Sequence, residues 1–176
     1  GIVALREGRD LPDTQYATYD YDGFTLRFQG SLWSPYMKKI AIPIRDGDLF
    51  PDWQFCATKI EILGTKAFMY LGRHGGGWQV FDENNKVIEQ AYGRQGDKPH
   101  IENFLQCIRS GALPNADVEH GHQSVLLSHL ANIAWRAGNT KLAFDAKTES
   151  FPETPAANQF LKRPSYRAPW IVPETV

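Results

Sequence analysis

Residues 99–138 read PHIENFLQCIRSGALPNADVEHGHQSVLLSHLANIAWRAG, and this stretch decides the fold. It predicts two helices joined by a short connection containing Gly and Pro. Pro99 suits a first helical position, where its missing N–H costs nothing. Ile101, Phe104, Leu105 and Ile108 recur at helical spacing and form one apolar face, and Gly111 is placed to end the helix. Asp117 is a candidate N-cap for the second helix, where its carboxylate meets unpaired backbone N–H groups. Val118, His122, Leu126, Leu130, Ile133 and Ala137 line one side of that helix, and Gly138 stops it. Leu126, Leu130 and Ile133 are expected to pack on a sheet together with Phe104 and Ile108.

The sheet is expected upstream. Tyr16–Tyr21 and Phe24–Trp33 flank Asp22-Gly23, a strong hairpin signal. In the second run Phe24, Leu26 and Phe28 alternate with Thr25, Arg27 and Gln29, giving one apolar and one polar face. Lys59–Leu63, Ala67–Leu71, Trp78–Phe81 and Lys86–Gln90 read as an antiparallel meander. Gly64-Thr65, Gly75-Gly76-Gly77 and Asn84-Asn85 supply its turns, because Gly and Asn tolerate positive φ. Ile2–Leu5 and Lys141–Phe144 are further short candidate strands. Glu153–Leu161 predicts a short third helix. A Pro-rich extended tail, residues 163–176, carries Tyr166 and Trp170 as anchors to the body.

Between the hairpin and the meander, Ser34–Phe55 is long and irregular, with Pro35, Pro43 and Pro51. Segments of this kind are often lids or binding loops; the plainer alternative is a surface excursion, partly strand around Ile40–Ile44. The whole is an α+β fold in one domain, residues 1–176. Its centre is an open, predominantly antiparallel sheet of roughly six strands with the helices packed on one face.

The chain has 176 residues and a formal net charge of −1, with acidic and basic residues interspersed. That argues against nucleic acid or an anionic membrane surface as the main partner. Cys56 and Cys107 are too few for a disulfide framework, and Cys107, among apolar helix positions, reads as a buried thiol. Gly75–Gly77 is not a dinucleotide loop, which needs a strand before it and a helix after it. His122 and His129 are seven residues apart, two helical turns, so they do not share a metal ion. His122 reads instead as a hydrogen-bonded core residue. A Cys107–histidine nucleophile is set aside, since a cysteine on an apolar helix face is usually inert.

Several segments carry a family resemblance. DLPDTQYATYDYDGF at 10–24, ILGTKAFMYL at 62–71, HIENFLQCIRSGALPNADVEHGHQS at 100–124, HLANIAWRAG at 129–138 and YRAPWIVP at 166–173 together resemble the C-terminal domain of the Gfo/Idh/MocA oxidoreductases, the glucose-fructose oxidoreductase-like sugar dehydrogenases. In that family a Rossmann domain comes first. A helix carrying a catalytic histidine and aspartate then leads into the C-terminal sheet. The chain is expected to begin just after that helix. Asp97-Lys98-Pro99 is similar to the family's Glu-Lys-Pro motif, but that motif lies in the nucleotide domain. Lys98 therefore does not inherit the catalytic role.

The resemblance implies a substrate-binding and oligomerisation domain of an NAD(P)-dependent sugar or polyol dehydrogenase. NAD or NADP belongs to the full-length parent, and the partner is the chain's own N-terminal Rossmann domain. Within this chain no catalytic, cofactor-binding or metal residue is assigned, and the chain alone is expected to be inactive. Tyr36, Trp53 and Trp33 are the candidates to face a small carbohydrate substrate. Thr25, Arg27 and Gln29 are the candidates for the face of a homo-oligomer, a two-fold dimer being the commonest closed form. The alternative is a stand-alone carbohydrate-binding or structural module. Compartment is not indicated.

Overall fold

The computed structural model describes residues 1–5 and 8–172. Positions 6 and 7 of the polar segment after Leu5, and positions 173–176 of the expected tail, lie outside the described residues. The fold is α+β with open antiparallel sheets. Among the described residues the strands form two sheets where one was expected. The chain divides into two compact units, residues 1–32 with the chain from Val118 onward, and Trp33–Asp117.

In the first unit β1 (Thr14–Tyr21) and β2 (Phe24–Ser31) form a hairpin that pairs only with itself. Gly23, at φ +81°, makes the turn. Pairing matches Tyr16 with Gln29, Thr18 with Arg27 and Asp20 with Thr25. These residues therefore share one face, and all are exposed. Tyr19 lies on the other face, and its hydroxyl donates to the Leu127 carbonyl at 2.5 Å. A long connection follows Ser31, and it imposes no register on the next strand.

The long helix of this unit, here α3 (Val118–Arg136), buries Ala131 and Ile133. Ile133 forms a core with Phe151 and Ala157, joined by Leu130, Leu142, Phe144, Phe160 and Leu161. Of the three expected core residues, Ile133 is buried, Leu130 packs against it half-buried and Leu126 is half-buried outside this cluster; the partners are these and not Phe104 and Ile108. Lys141–Phe144 is not a strand, because Leu142 and Phe144 turn into this cluster instead of pairing along an edge. The predicted third helix is a short 3-10 stretch, Pro155–Phe160. Residues 163–172 carry neither helix nor strand. Trp170 is exposed, so it does not anchor them.

Ile2–Leu5 is likewise not a strand. Its N–H groups go elsewhere: Val3 donates to Asp13 Oδ1, and Ala4 and Leu5 donate to Asp13 Oδ2. Residues that give their donors to a side chain have none left for a ladder.

The second unit holds the meander β3 (Lys59–Leu63), β4 (Phe68–Gly72), β5 (Trp78–Phe81) and β6 (Val87–Ala91), in that spatial order. Its turns fall where Gly64, Gly75–Gly77 and Asn85 predict them, with Asn85 at φ +62°. Ile40–Ile44 is not a strand. Pro43 denies a ladder N–H and suits a helix start, and Ile42–Asp46 forms a short helix, α1. The remaining helix, α2 (Asp97–Ser110), ends at Gly111, which adopts φ +72° and donates to the Cys107 carbonyl at 2.8 Å. None of its residues is buried. Phe104 and Ile108 are exposed, and Cys107 is half-buried, not fully buried as its spacing suggested. Amphipathic spacing specifies which residues share a face, not what covers that face.

Candidate functional site

Side chains at alternate positions of a strand share a face. On β4 this places Phe68 and Tyr70 together, and the register sets Phe81 opposite Phe68 and Gln79 opposite Tyr70. Phe68 and Phe81 stack with ring centres 4.9 Å apart, and Tyr70 meets both edge-on at 5.5 and 5.8 Å. Trp53, from a 3-10 turn (Trp53–Phe55), stacks on Tyr70 at 5.5 Å. Rings offset or edge-on at these spacings reinforce one another beyond the area they bury.

The connection preceding β3 lies beside this aromatic face. Together they border a shallow, widely open hollow of about 610 Å³ lined by Trp53, Lys59, Phe68, Tyr70, Phe81 and Asn85, among others. Trp53 is held firmly. It is only 9% exposed, and its indole N–H donates to Gln79 Oε1 at 2.7 Å. Gln79 in turn donates to Gln90 Oε1 at 2.8 Å. Asp52 caps the 3-10 turn by accepting the Gln54 N–H at 3.1 Å. Lys59 brings the positive charge. Its ammonium donates to the Trp53 carbonyl at 2.5 Å, pairs with Glu61 at 3.2 Å and lies 5.2 Å from the centre of the Tyr70 ring. Aromatic faces beside a few fixed polar groups are the usual lining of a small-molecule pocket.

Of the three predicted substrate-facing residues, Trp53 lines this hollow. Trp33 and Tyr36 lie exposed on the same connection and are not among its lining residues. In the sequence Lys59, Phe68, Tyr70 and Phe81 stand out only as strand residues. The signal was present as aromatic residues at 68, 70 and 81, but which face they share emerges only with the register. The predicted oligomer-face residues Thr25, Arg27 and Gln29 occupy one exposed face of the first unit's hairpin, with Gln29 Nε2 donating to the Tyr16 hydroxyl at 3.2 Å.

Gly75–Gly77 joins β4 to β5, and a strand follows it. No helix N-terminus opens there to receive a pyrophosphate, so this turn does not fit a nicotinamide dinucleotide. Lys98 sits in the first turn of α2, 3.8 Å from Glu102, as an exposed i, i+4 pair. Among the described residues no group of three or more His, Cys, Asp or Glu side chains is placed to hold a metal ion. No helix among them is long and apolar enough to cross a membrane.

The family model described as the oxidoreductase family, C-terminal alpha/beta domain, of the Gfo/Idh/MocA group matches residues 66–172. The chain belongs to this family. Comparisons with curated proteins and with solved structures gave no match. The matched span of this Gfo/Idh/MocA C-terminal domain runs from just before β4, through α2 and α3, into the irregular segment that follows residue 163. It therefore includes Phe68, Tyr70 and Phe81 of the aromatic face. In this family the C-terminal domain accompanies an N-terminal nucleotide-binding domain, which is where NAD(P) is typically bound.

Proposed function

We propose that this chain is the substrate-side and oligomerisation domain of an NAD(P)-dependent sugar or polyol dehydrogenase. The observation that carries the reading is the aromatic hollow within a Gfo/Idh/MocA C-terminal domain. Carbohydrate rings present C–H faces that stack on aromatic side chains and hydroxyls that need fixed polar partners. The Tyr70–Phe81 face, with the Lys59 ammonium and the Asn85 amide at its border, supplies both kinds of contact. In the parent enzyme the nicotinamide carries the hydride. This chain's part is to hold the carbohydrate carbon in position, and acid–base groups are supplied from outside it. The exposed face of Thr25, Arg27 and Gln29 is the surface for a two-fold dimer. Its mixed polar and aromatic character, with Tyr16 beside Gln29, suits an interface better than a core.

The test is titration of the chain with neutral monosaccharides and polyols, followed by the Trp53 indole resonance. Saturable millimolar binding that is lost in Tyr70→Ala supports the reading. If no sugar moves the Trp53 or Tyr70 signals at any accessible concentration, the substrate-side role is wrong.

A further inference from the structure

The second unit contains another hollow, of opposite chemical character. It measures about 230 Å³ and is lined by Lys39, Ile40, Arg45, Thr58, Arg73 and His74. Lys39 precedes α1, Arg45 lies within it, Thr58 precedes β3, and Arg73 and His74 open the β4–β5 turn. The fold gathers three obligate cations, an imidazole and a hydroxyl around one buried isoleucine, in a chain whose net charge is −1.

Close packing creates this convergence. The β4–β5 turn lies against Ile40 so tightly that a Cβ on Gly76 would stand 2.4 Å from Ile40 Cδ1. His74 holds φ +57° in that turn. Arg45 is oriented by its Nε–H, which donates to the Ile40 carbonyl at 2.9 Å. Among the described residues, its terminal nitrogens have no protein acceptor, and Lys39, Arg45, Arg73 and His74 have no carboxylate partner. The acids that follow Arg45 are engaged elsewhere. Asp46 accepts from Gln95 at 3.1 Å, and Asp48 pairs with Arg94 at 2.6 Å.

Gathered cations repel one another, and a guanidinium fork is the side chain best matched to a carboxylate or phosphate. The volume is below the ~300–1,000 Å³ of drug-sized sites and suits a compact anionic group bearing a few carbons. We propose that this hollow is an anion site that takes the phosphate or carboxylate of a small ligand. Arg45 and Arg73 grip the oxygens, Lys39 adds a point charge, and the Thr58 hydroxyl donates a further hydrogen bond. That the ligand is the enzyme's own substrate, a sugar phosphate or a sugar acid, rests on the function proposed above; the anion site does not.

The experiment titrates the 176-residue chain at low salt with inorganic phosphate, glucose 6-phosphate, glucuronate and glucose. It reads the backbone amide signals of Thr58 and His74. Saturable shifts with one or more of the anions and none with glucose are expected. A response to phosphate and glucose 6-phosphate alone identifies a phosphate site, and a response to glucuronate alone a carboxylate site. Arg73→Gln should weaken the responding anion by up to about five-fold, the worth of one exposed charge contact. The Arg73 side chain makes no ion pair among the described residues, so its variant should keep the wild-type unfolding midpoint. Arg45→Gln should weaken binding as well. No saturable shift with any anion, or equal binding by Arg73→Gln, overturns the proposal. Loss of anion binding with sugar still perturbing Trp53 defeats this inference alone. Anion binding without any sugar response at Trp53 defeats the substrate-side reading alone.

Discussion

The Asp13 carboxylate accepts the Val3 N–H at 2.9 Å, and with it the N–H groups of Ala4 and Leu5 at 2.8 and 2.6 Å. Asp13 is only 2% exposed and also receives the Thr14 hydroxyl at 2.9 Å. Burial alone would raise its pKa. The hydrogen bonds from Leu5, Val3, Thr14 and Ala4 outweigh that and hold the carboxyl well below the usual carboxylate range. A depressed folded pKa contributes stability that is complete above the unfolded value of about 3.9 and is lost as pH falls through the folded value. Asp13→Asn turns an amide donor toward N–H donors. Amide exchange at residues 3–5 should then accelerate strongly at neutral pH, and protection unchanged from wild type would show that Asp13 does not hold this segment.

The Trp53 indole, buried at the edge of the hollow, donates its N–H to Gln79, so Gln79→Ala should leave that N–H unpaired. The expected cost is about 1–3 kcal/mol in denaturant unfolding, with a changed Trp53 emission. A variant as stable as wild type would mean that water replaces the amide without loss.

Phe151 is 1% exposed and meets Phe144 edge-on at 5.3 Å. Its N–H donates to Asn158 Oδ1 at 2.8 Å, which fixes the backbone on which the ring is mounted. Phe151→Ala should lower stability by about 3–5 kcal/mol through lost burial and a cavity. Leu130→Ala, at the margin of the same cluster, should cost toward the lower end of about 2–5 kcal/mol. The ordering of the two in one denaturation series is the check.

His122 Nε2 lies 2.6 Å from Glu149 Oε1, and both side chains are partly exposed. The pair is a surface contact, where the spacing had suggested a core histidine. The hydrogen bond to Glu149, then the charge of Glu149, raises the His122 pKa above its ordinary value, and Glu119 adds to this. A raised histidine pKa contributes stability that is complete below the unfolded value of about 6.5 and is lost as pH rises through the folded value. In an NMR titration Glu149→Gln should move the His122 midpoint down toward the ordinary histidine value. An unmoved midpoint would assign the shift to another group.

Arg27 stands opposite Thr18 on the exposed hairpin face proposed as the dimer surface. Light scattering at micromolar concentration should give twice the 19.9 kDa chain mass, and Arg27→Glu should return it to monomer. A dimer that survives the reversal of charge uses another surface.

What the sequence determined by itself is local. Asp22-Gly23, Gly75–Gly77 and Asn84-Asn85 place three hairpin turns, because positive φ is a property of the residue and its neighbours. Gly111 ends α2 for the same reason. The family wording around residues 100–138 was legible too, and the match over residues 66–172 agrees with it. Tertiary structure alone decided the rest. Strand spacing does not say that the six strands form sheets of two and four, since a long connection carries no register. The short apolar run Ile2–Leu5 reads as a strand until Asp13 takes its donors. Trp53 meets Tyr70 and Gln79, and Arg45, Arg73 and His74 come to line one hollow, across separations that no local pattern encodes. Such meetings depend on which side chains the packed backbone brings within a few ångströms, and that is settled by the fold as a whole.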